Sequence, residues 1–119
     1  MEREDEQNMR SELVNIEAGK FKRINGVVLR TVISLMPTSF FSKNNITDAV
    51  AGRGITDGEV CDALDYLEGA GYIETRSVNE RQPVRLTDFA FDMDLIEFKL
   101  SSRGKLVALG IVRDDGIEL

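Results

Sequence analysis

The sequence predicts an α+β domain in which helices precede a small sheet and a short C-terminal helix. Three segments carry apolar residues at helical spacing and end at residues that break helices, namely Pro37, the segment 52–54 and Gly71. Residues 72–78 and 94–100 read instead as strands, the latter with clear alternation of apolar and polar residues. The predicted order is therefore helix, short strand, helix, helix, strand, long loop, strand, helix.

The N-terminal segment, residues 1–19, is acidic and leaves two structures open. Residues 1–8 are expected to be disordered, because nothing in them can be buried. Met9, Leu13 and Ile16 then recur at helical spacing, which favours a short amphipathic helix that starts near residue 8 and ends at Gly19. The alternative is an acidic tail that frays in solution.

The first helix of the domain is predicted over residues 22–36. It ends before Pro37, because a residue that precedes proline disfavours the helical backbone. The predicted apolar stripe comprises Ile24, Val27, Val28, Val32, Leu35 and Met36. Residues 38–40 are expected to be short and extended.

The next two helices are predicted from their first residues. Ser42 is the N-cap of the second helix, and Phe41 and Ile46 have the spacing of a hydrophobic staple. Thr56 and Glu59 have the spacing of a capping box at the start of the third helix. Ile55 and Val60 have the spacing of its hydrophobic staple, and Gly71 is its expected C′ residue. Its predicted core residues are Val60, Ala63, Leu64 and Leu67.

The C-terminal third is predicted to contain a sheet and a capped helix. The long connection 79–93 contains Pro83 and has room for an extended piece at residues 84–86. The second strand places Ile96, Phe98 and Leu100 on one face. Ser101 is expected to cap a final helix that carries Leu106 and Leu109 and ends at Gly110, followed by an irregular tail, residues 111–119.

Two local patterns resemble the winged-helix family of helix-turn-helix DNA-binding domains. ALDYLEGAGYI, residues 63–73, is similar to the end of a recognition helix that runs into the first wing strand. FKLSSRG, residues 98–104, is similar to the second wing strand entering a capped helix. The resemblance implies a three-helix core, a two- or three-stranded wing sheet and a short C-terminal helix. The domain is then residues 20–110, between the N-terminal segment 1–19 and the tail 111–119. The whole layout is also similar to that of small uncharacterised proteins of Mu-like prophages.

Composition excludes several classes of function. The chain of 119 residues has no histidine and one cysteine, Cys61, so no Ser-His or Cys-His catalytic pair and no intrachain disulfide can form. Its acids show no calcium-loop spacing, and a structural zinc site lacks ligands. We therefore expect no enzymatic activity, no catalytic residues, no cofactor and no metal. The acidic N-terminus and the lack of a long apolar run predict a cytoplasmic protein.

The charges alternate in sign along the chain. Residues 1–19 have two bases and six acids, a net charge of −4, whereas residues 20–53 have six bases and one acid, a net charge of +5. Residues 54–75 have six acids and no base, a net charge of −6. Such blocks inform about partners rather than about fold.

The third helix carries acids where the family carries groove-contacting residues. Its exposed positions include Asp57, Asp62, Asp65 and Glu68, none of which can neutralise a phosphate. Any contact with double-stranded DNA is therefore assigned to bases outside that helix, namely Arg76, Arg81 and Arg85 on the wing, Lys43, and Arg53 in the turn before the third helix. The resemblance implies a regulatory or accessory factor in a DNA-associated process, such as phage transcription control.

A protein-binding role is the alternative. Asp57, Asp62, Asp65 and Glu68 could bind a basic protein, or a basic surface of a second copy. The opposed charge blocks, together with the apolar set Met9, Leu13 and Ile16, predict a homodimer.

Overall fold

A computed structural model describes residues 2–79, 81–84 and 93–119, with side chains from residue 12 onward. Helix α1 spans Glu2–Leu35, α2 spans Lys43–Val50 and α3 spans Asp57–Gly69. Strands β1, Ile73–Ser77, and β2, Ile96–Leu100, pair antiparallel, and α4, Ser102–Ala108, follows. This α+β arrangement of three helices, a hairpin and a short C-terminal helix is consistent with a winged helix.

The N-terminal segment is helical, as one of the two expectations had it, but the helix begins earlier and ends later than predicted. Residues 2–8 are helical, and α1 passes through Gly19 without a break. A glycine inside a helix costs only about 1 kcal/mol relative to alanine, and residues 12–18 around this point include good helix formers and no proline. No close packing requires a glycine at this position, since a Cβ placed on Gly19 would have no heavy atom within 4 Å.

The buried face of α1 is the centre of the core. Val28, Leu29 and Val32 are fully buried, whereas Leu35 is 59% exposed. The predicted stripe was wrong in omitting Leu29 and in including Leu35, which lines an open cleft with Arg30. The core otherwise contains Ile24, Phe41, Ile46, Val50, Val60, Ala63, Leu64, Leu67, Tyr72, Ile73, Ile96, Phe98, Leu100, Val107 and Ile117.

The predicted starts of the second, third and last helices are confirmed, whereas the start predicted at residue 22 is wrong, because α1 already begins at Glu2. The Ser42 and Asn45 side chains each bond the backbone N–H of the other residue, which makes a capping box at α2. At α3 the Thr56 N–H donates to Glu59 Oε1 at 3.0 Å, and the Glu59 N–H donates to Thr56 Oγ1 at 3.2 Å. At α4 the Ser101 hydroxyl accepts from the Gly104 N–H.

The end of α3 is also confirmed. Gly71 has φ +82°, and its N–H donates to the Glu68 carbonyl at 3.0 Å. The Tyr72 N–H donates to the Leu67 carbonyl at 2.9 Å, which completes a Schellman motif. The motif reverses the chain, so that β1 begins directly after the helix.

The sheet is shorter than predicted. β1 starts one residue later and ends one residue earlier than expected, and Met93–Leu95 form a 3-10 turn before β2. The segment expected to be extended at 38–40 instead pairs one residue later, where Phe41 and Phe98 exchange two backbone hydrogen bonds of 2.7 and 2.8 Å. The Val84 N–H donates to the Thr75 carbonyl beside β1, and the rest of the predicted piece 84–86 lies outside the described residues.

The tail 111–119 contains no helix or strand, as predicted, but it is anchored to α1. Ile117 joins the core, Asn25 Nδ2 donates to the Gly116 carbonyl at 3.0 Å, and the Glu118 N–H donates to the Lys22 carbonyl at 3.0 Å. Gly26 permits this approach, because a Cβ there would overlap the Glu118 backbone.

The Thr56 cap predicts the first testable outcome. We expect Thr56→Ala to lower the free energy of unfolding by about 1 kcal/mol, because it removes the acceptor of the Glu59 N–H. Chemical denaturation measures the change, and Thr56→Ser, which retains the hydroxyl, is the matched control. A denaturation midpoint that Thr56→Ala leaves unchanged would contradict the role of the cap.

Candidate interaction surfaces

The outer side of α3 presents three carboxylates, Asp62, Asp65 and Glu68, which we call the acidic face. Asp62 and Asp65 are exposed and Glu68 is half-buried. Successive members are three residues apart, so they are neighbours on the helix surface. None of the three forms an ion pair with a base that the structure describes. Among the described residues, therefore, no base offsets their mutual repulsion, and a cationic partner would do so.

Asp57 was predicted to bind a partner together with Asp62, Asp65 and Glu68, but it forms an ion pair within the domain. Lys43 Nζ lies 3.0 Å from Asp57 Oδ1, and the Thr47 hydroxyl donates to the same oxygen at 3.0 Å. The hydrogen bond from Lys43, followed by the one from Thr47, lowers the pKa of Asp57. Lys43 in turn lies 3.9 Å from Asp94, and only 14% of its side chain is exposed. Asp57 and Lys43 thus neutralise each other across the start of α3.

Cys61 lies beside this ion pair. Its Sγ is 3.9 Å from Asp57 Oδ2, and burial, together with the charge of Asp57, raises the pKa of the thiol. A raised pKa keeps the sulfur protonated, and the thiol is a weak nucleophile compared with the thiolate.

The predicted wing arginines have different environments. Arg76 Nη2 lies 3.0 Å from Glu97 Oε2, and its guanidinium stacks 3.5 Å from the centre of the Phe40 ring. Arg81 is exposed, with a left-handed backbone at φ 53°. Arg85 lies outside the described residues. Of the two described arginines, therefore, only Arg81 has a guanidinium without an ion-pair partner in the described part of the chain.

Arg53 belongs to a second surface that the sequence did not reveal as a unit. Lys20, Arg23 and Arg53 line a cleft of about 270 Å³ between α1 and the turn before α3. Val27 and Ile55 add apolar side chains, and Glu59 lies at one side, 3.0 Å from Lys20. We call this cleft the basic groove. Arg30 extends it, because Arg30 and Arg53 line the adjoining cleft.

A third cluster, which the sequence did not predict, fastens the tail. The hydroxyls of Tyr66 and Tyr72 donate to the two oxygens of Asp114, the former at 2.8 Å, and the Gly116 N–H donates to Asp114 at 2.7 Å. Burial alone would raise the pKa of Asp114, but these hydrogen bonds lower it overall. Each tyrosine lies 42 or more positions from Asp114 in the sequence. Tyrosine–aspartate pairs have no characteristic sequence spacing, so no local signal could have predicted this cluster.

The described residues give no sign of a metal site or of a membrane helix. Among them, no three His, Cys, Asp or Glu side chains lie close enough together to hold an ion. No helix in the described ranges has the length and apolar character that a membrane crossing requires.

Comparisons of the chain with protein-family models, with curated proteins and with solved structures found no match.

The tail cluster predicts a pH dependence. Burial, and then the hydrogen bond to Asp114, raise the pKa of Tyr66 from 10.0 to about 12. The protonated phenol is therefore favoured in the folded state, so its stabilisation is complete below pH 10.0 and is lost as the pH rises towards about 12. We expect the free energy of unfolding of Tyr66→Phe to fall less steeply than that of the wild type over this range. Asp114→Asn, which removes the negative acceptor, should lower the Tyr66 pKa in an ultraviolet titration. A Tyr66 that titrates near 10.0 in the wild type would contradict the assignment.

Proposed function

We propose that this chain is a non-enzymatic winged-helix protein, a regulatory or accessory factor in a DNA-associated process such as phage transcription control. It acts by binding a basic protein surface through the acidic face. The DNA association rests on the likeness of the two wing motifs to the winged-helix family, and fold alone does not fix function. The mode of action rests on the charge and exposure of α3.

The observation that carries the proposal is that, among the residues the structure describes, no base forms an ion pair with the acidic face. Asp57, Glu59 and Glu97 each form an ion pair with a base of the domain, so these three carboxylates are already neutralised within the described fold. Asp62 and Asp65 remain exposed, on a helix that has no base. Phosphates would be repelled by this face, whereas lysine or arginine side chains of a partner would be attracted.

Binding of a cationic probe tests this role. We expect an arginine-rich peptide to bind the wild type saturably at low salt in isothermal titration calorimetry. Asp62→Asn with Asp65→Asn should weaken binding roughly two- to thirtyfold, since each of the two exposed ion pairs contributes about 0.2–1 kcal/mol. The matched control, Asp48→Asn with Glu74→Gln, removes the same charge from exposed positions on α2 and β1. Equal weakening by both double variants would show a response to net charge alone and would contradict a site on α3.

Direct binding of duplex DNA is a second candidate, favoured by the exposure of Arg53 and Arg81. Neither guanidinium has an ion-pair partner among the acids of the described ranges, and Arg53 lies beside Arg23 and Arg30. Lys43 and Arg76, by contrast, are already held by Asp57 and Glu97. The contact would then be made by the turn and the wing, with α3 turned away from the phosphates.

Fluorescence anisotropy with random duplex DNA tests this candidate. If DNA binds at low salt, Arg53→Ala with Arg81→Ala should flatten the slope of log affinity against log salt by about 0.9 for each lost phosphate contact. Arg113→Ala, at an exposed position of the tail, is the control. Asp62→Asn with Asp65→Asn should strengthen binding, because it removes repulsion. A loss of binding in that asparagine variant would instead make α3 a base-reading helix.

A further inference from the structure

The N-terminal half of α1 extends away from the domain without a covering surface. Side chains 12–18 are all exposed, and the apolar residues Leu13, Val14 and Ile16 are 57, 63 and 66% exposed. The helix of 34 residues is about 51 Å long at 1.5 Å per residue, close to the 59 Å extent of the whole molecule. Isolated helices gain little stability in water, so an apolar stripe of this kind calls for a partner.

The stripe continues from apolar to basic residues along one side of α1. Leu13, Ile16, Lys20, Arg23 and Val27 are alternately three and four residues apart, which is the repeat of a coiled-coil seam. In the sequence the same alternation extends backwards through Met9, Glu6 and Glu2. The repeat therefore changes from acidic to apolar to basic as the chain proceeds.

This order of charges selects the direction in which two copies can pair. Residues 2–12 contain five acids and two bases, a net charge of −3, whereas residues 20–30 contain four bases and no acid, a net charge of +4. A parallel pair would place like charges together along both segments, which is unfavourable. An antiparallel pair that crosses near Leu13 and Ile16 places each acidic segment against the basic segment of the other copy.

The basic groove extends the surface on which residues 2–12 of a second copy would lie. Lys20 and Arg23 line the cleft from α1 and Arg53 lines it from the turn before α3, so both elements contribute bases. Val27 and Ile55 add apolar surface to the same cleft. The volume of about 270 Å³ leaves room for side chains of a second helix running along α1. In the Lys20–Glu59 pair the Lys20 side chain is 56% exposed, so its ammonium can also reach a carboxylate of the second copy.

We propose that the chain forms an antiparallel homodimer in which residues 2–12 of each copy lie along the basic groove of the other. Leu13 and Ile16 form the apolar centre of the contact, and Lys20, Arg23 and Arg53 bind the carboxylates of the second copy. This inference does not depend on the proposed function, because none of the contacts that it proposes uses a carboxylate of the acidic face. The Asp62→Asn and Asp65→Asn variant therefore remains dimeric, and the two proposals can fail separately.

Sedimentation velocity and light scattering of the full chain test the apolar centre. The wild type is expected to have twice the mass of one chain at low salt and to dissociate on dilution more readily as salt is raised. Leu13→Asp with Ile16→Asp abolishes the dimer, whereas Val14→Asp, an equally exposed change off the stripe, preserves it. A wild type that stays monomeric at the highest attainable concentration overturns the proposal, and so does a dimer that survives the double variant.

A charge-exchange experiment tests the pairing of segments. One full-length variant carries Glu2→Lys with Glu6→Lys, and the other carries Lys20→Glu with Arg23→Glu. Each is expected to be monomeric alone, and an equimolar mixture is expected to restore a dimer that contains one of each. Circular dichroism and thermal melting establish that both variants fold. Folded variants that remain monomeric when mixed overturn the proposal.

Disulfide trapping tests the direction. In a Cys61→Ala background, Glu6→Cys and Arg23→Cys are made as separate full-length variants. The antiparallel arrangement predicts a covalent dimer from the mixture under mild oxidation and little from either variant alone. Efficient cross-linking of Glu6→Cys with itself indicates parallel helices and overturns the proposed arrangement.

Discussion

Packing against the buried face of α1 is the constraint on which the rest of the structure depends. Val28, Leu29 and Val32 lie at the centre of the core, and α2, α3 and α4 all contact this helix. The tail reaches the same helix on another side, where Gly26 allows the backbone of Glu118 to approach closely. With α1 fixed in this way, the acidic face and the basic groove are held in place by the same helix, and Asp62 and Lys20 line one cleft between them.

The charges of the domain serve two purposes, which the structure separates. Some acids stabilise the fold, such as Glu59 at the capping box and Asp57 beside Lys43, and these have partners close by. Asp62 and Asp65 are exposed and form no ion pair within the described part of the chain. Arg53 could serve either an acidic segment of a second copy or a phosphate, but not both at once. Dimerisation and direct DNA binding would therefore compete for the same guanidinium.

Local rules in the sequence were sufficient to predict the starts of α2, α3 and α4 and the reversal at Gly71. Capping boxes and Schellman motifs depend on residues a few positions apart, so Thr56, Glu59 and Gly71 indicate them without knowledge of the fold. The path of α1 through Gly19 was missed, because a single glycine is a weak terminator whose effect depends on its neighbours.

The candidate site was less predictable than the fold, for a physical reason. The sequence shows that Lys43 and Arg76 are basic, but only the packing of α2, α3 and the hairpin brings them to Asp57 and Glu97. The same holds for the basic groove, in which α1 and the turn at Arg53 are separated by about thirty residues of chain. The Asp114 cluster similarly exists only once the tail has docked.

The uninterrupted course of α1 couples the rotation of its N-terminal half to the domain. Each residue of a helix turns the chain by about 100° and advances it by about 1.5 Å. One residue inserted near Gly19 would therefore rotate Leu13 and Ile16 away from the side that bears Lys20 and Arg23, whereas seven would restore their phase to within about 20°. Insertions or deletions near Gly19 therefore preserve the direction of the exposed face of α1 only when they change the helix by about seven residues at a time.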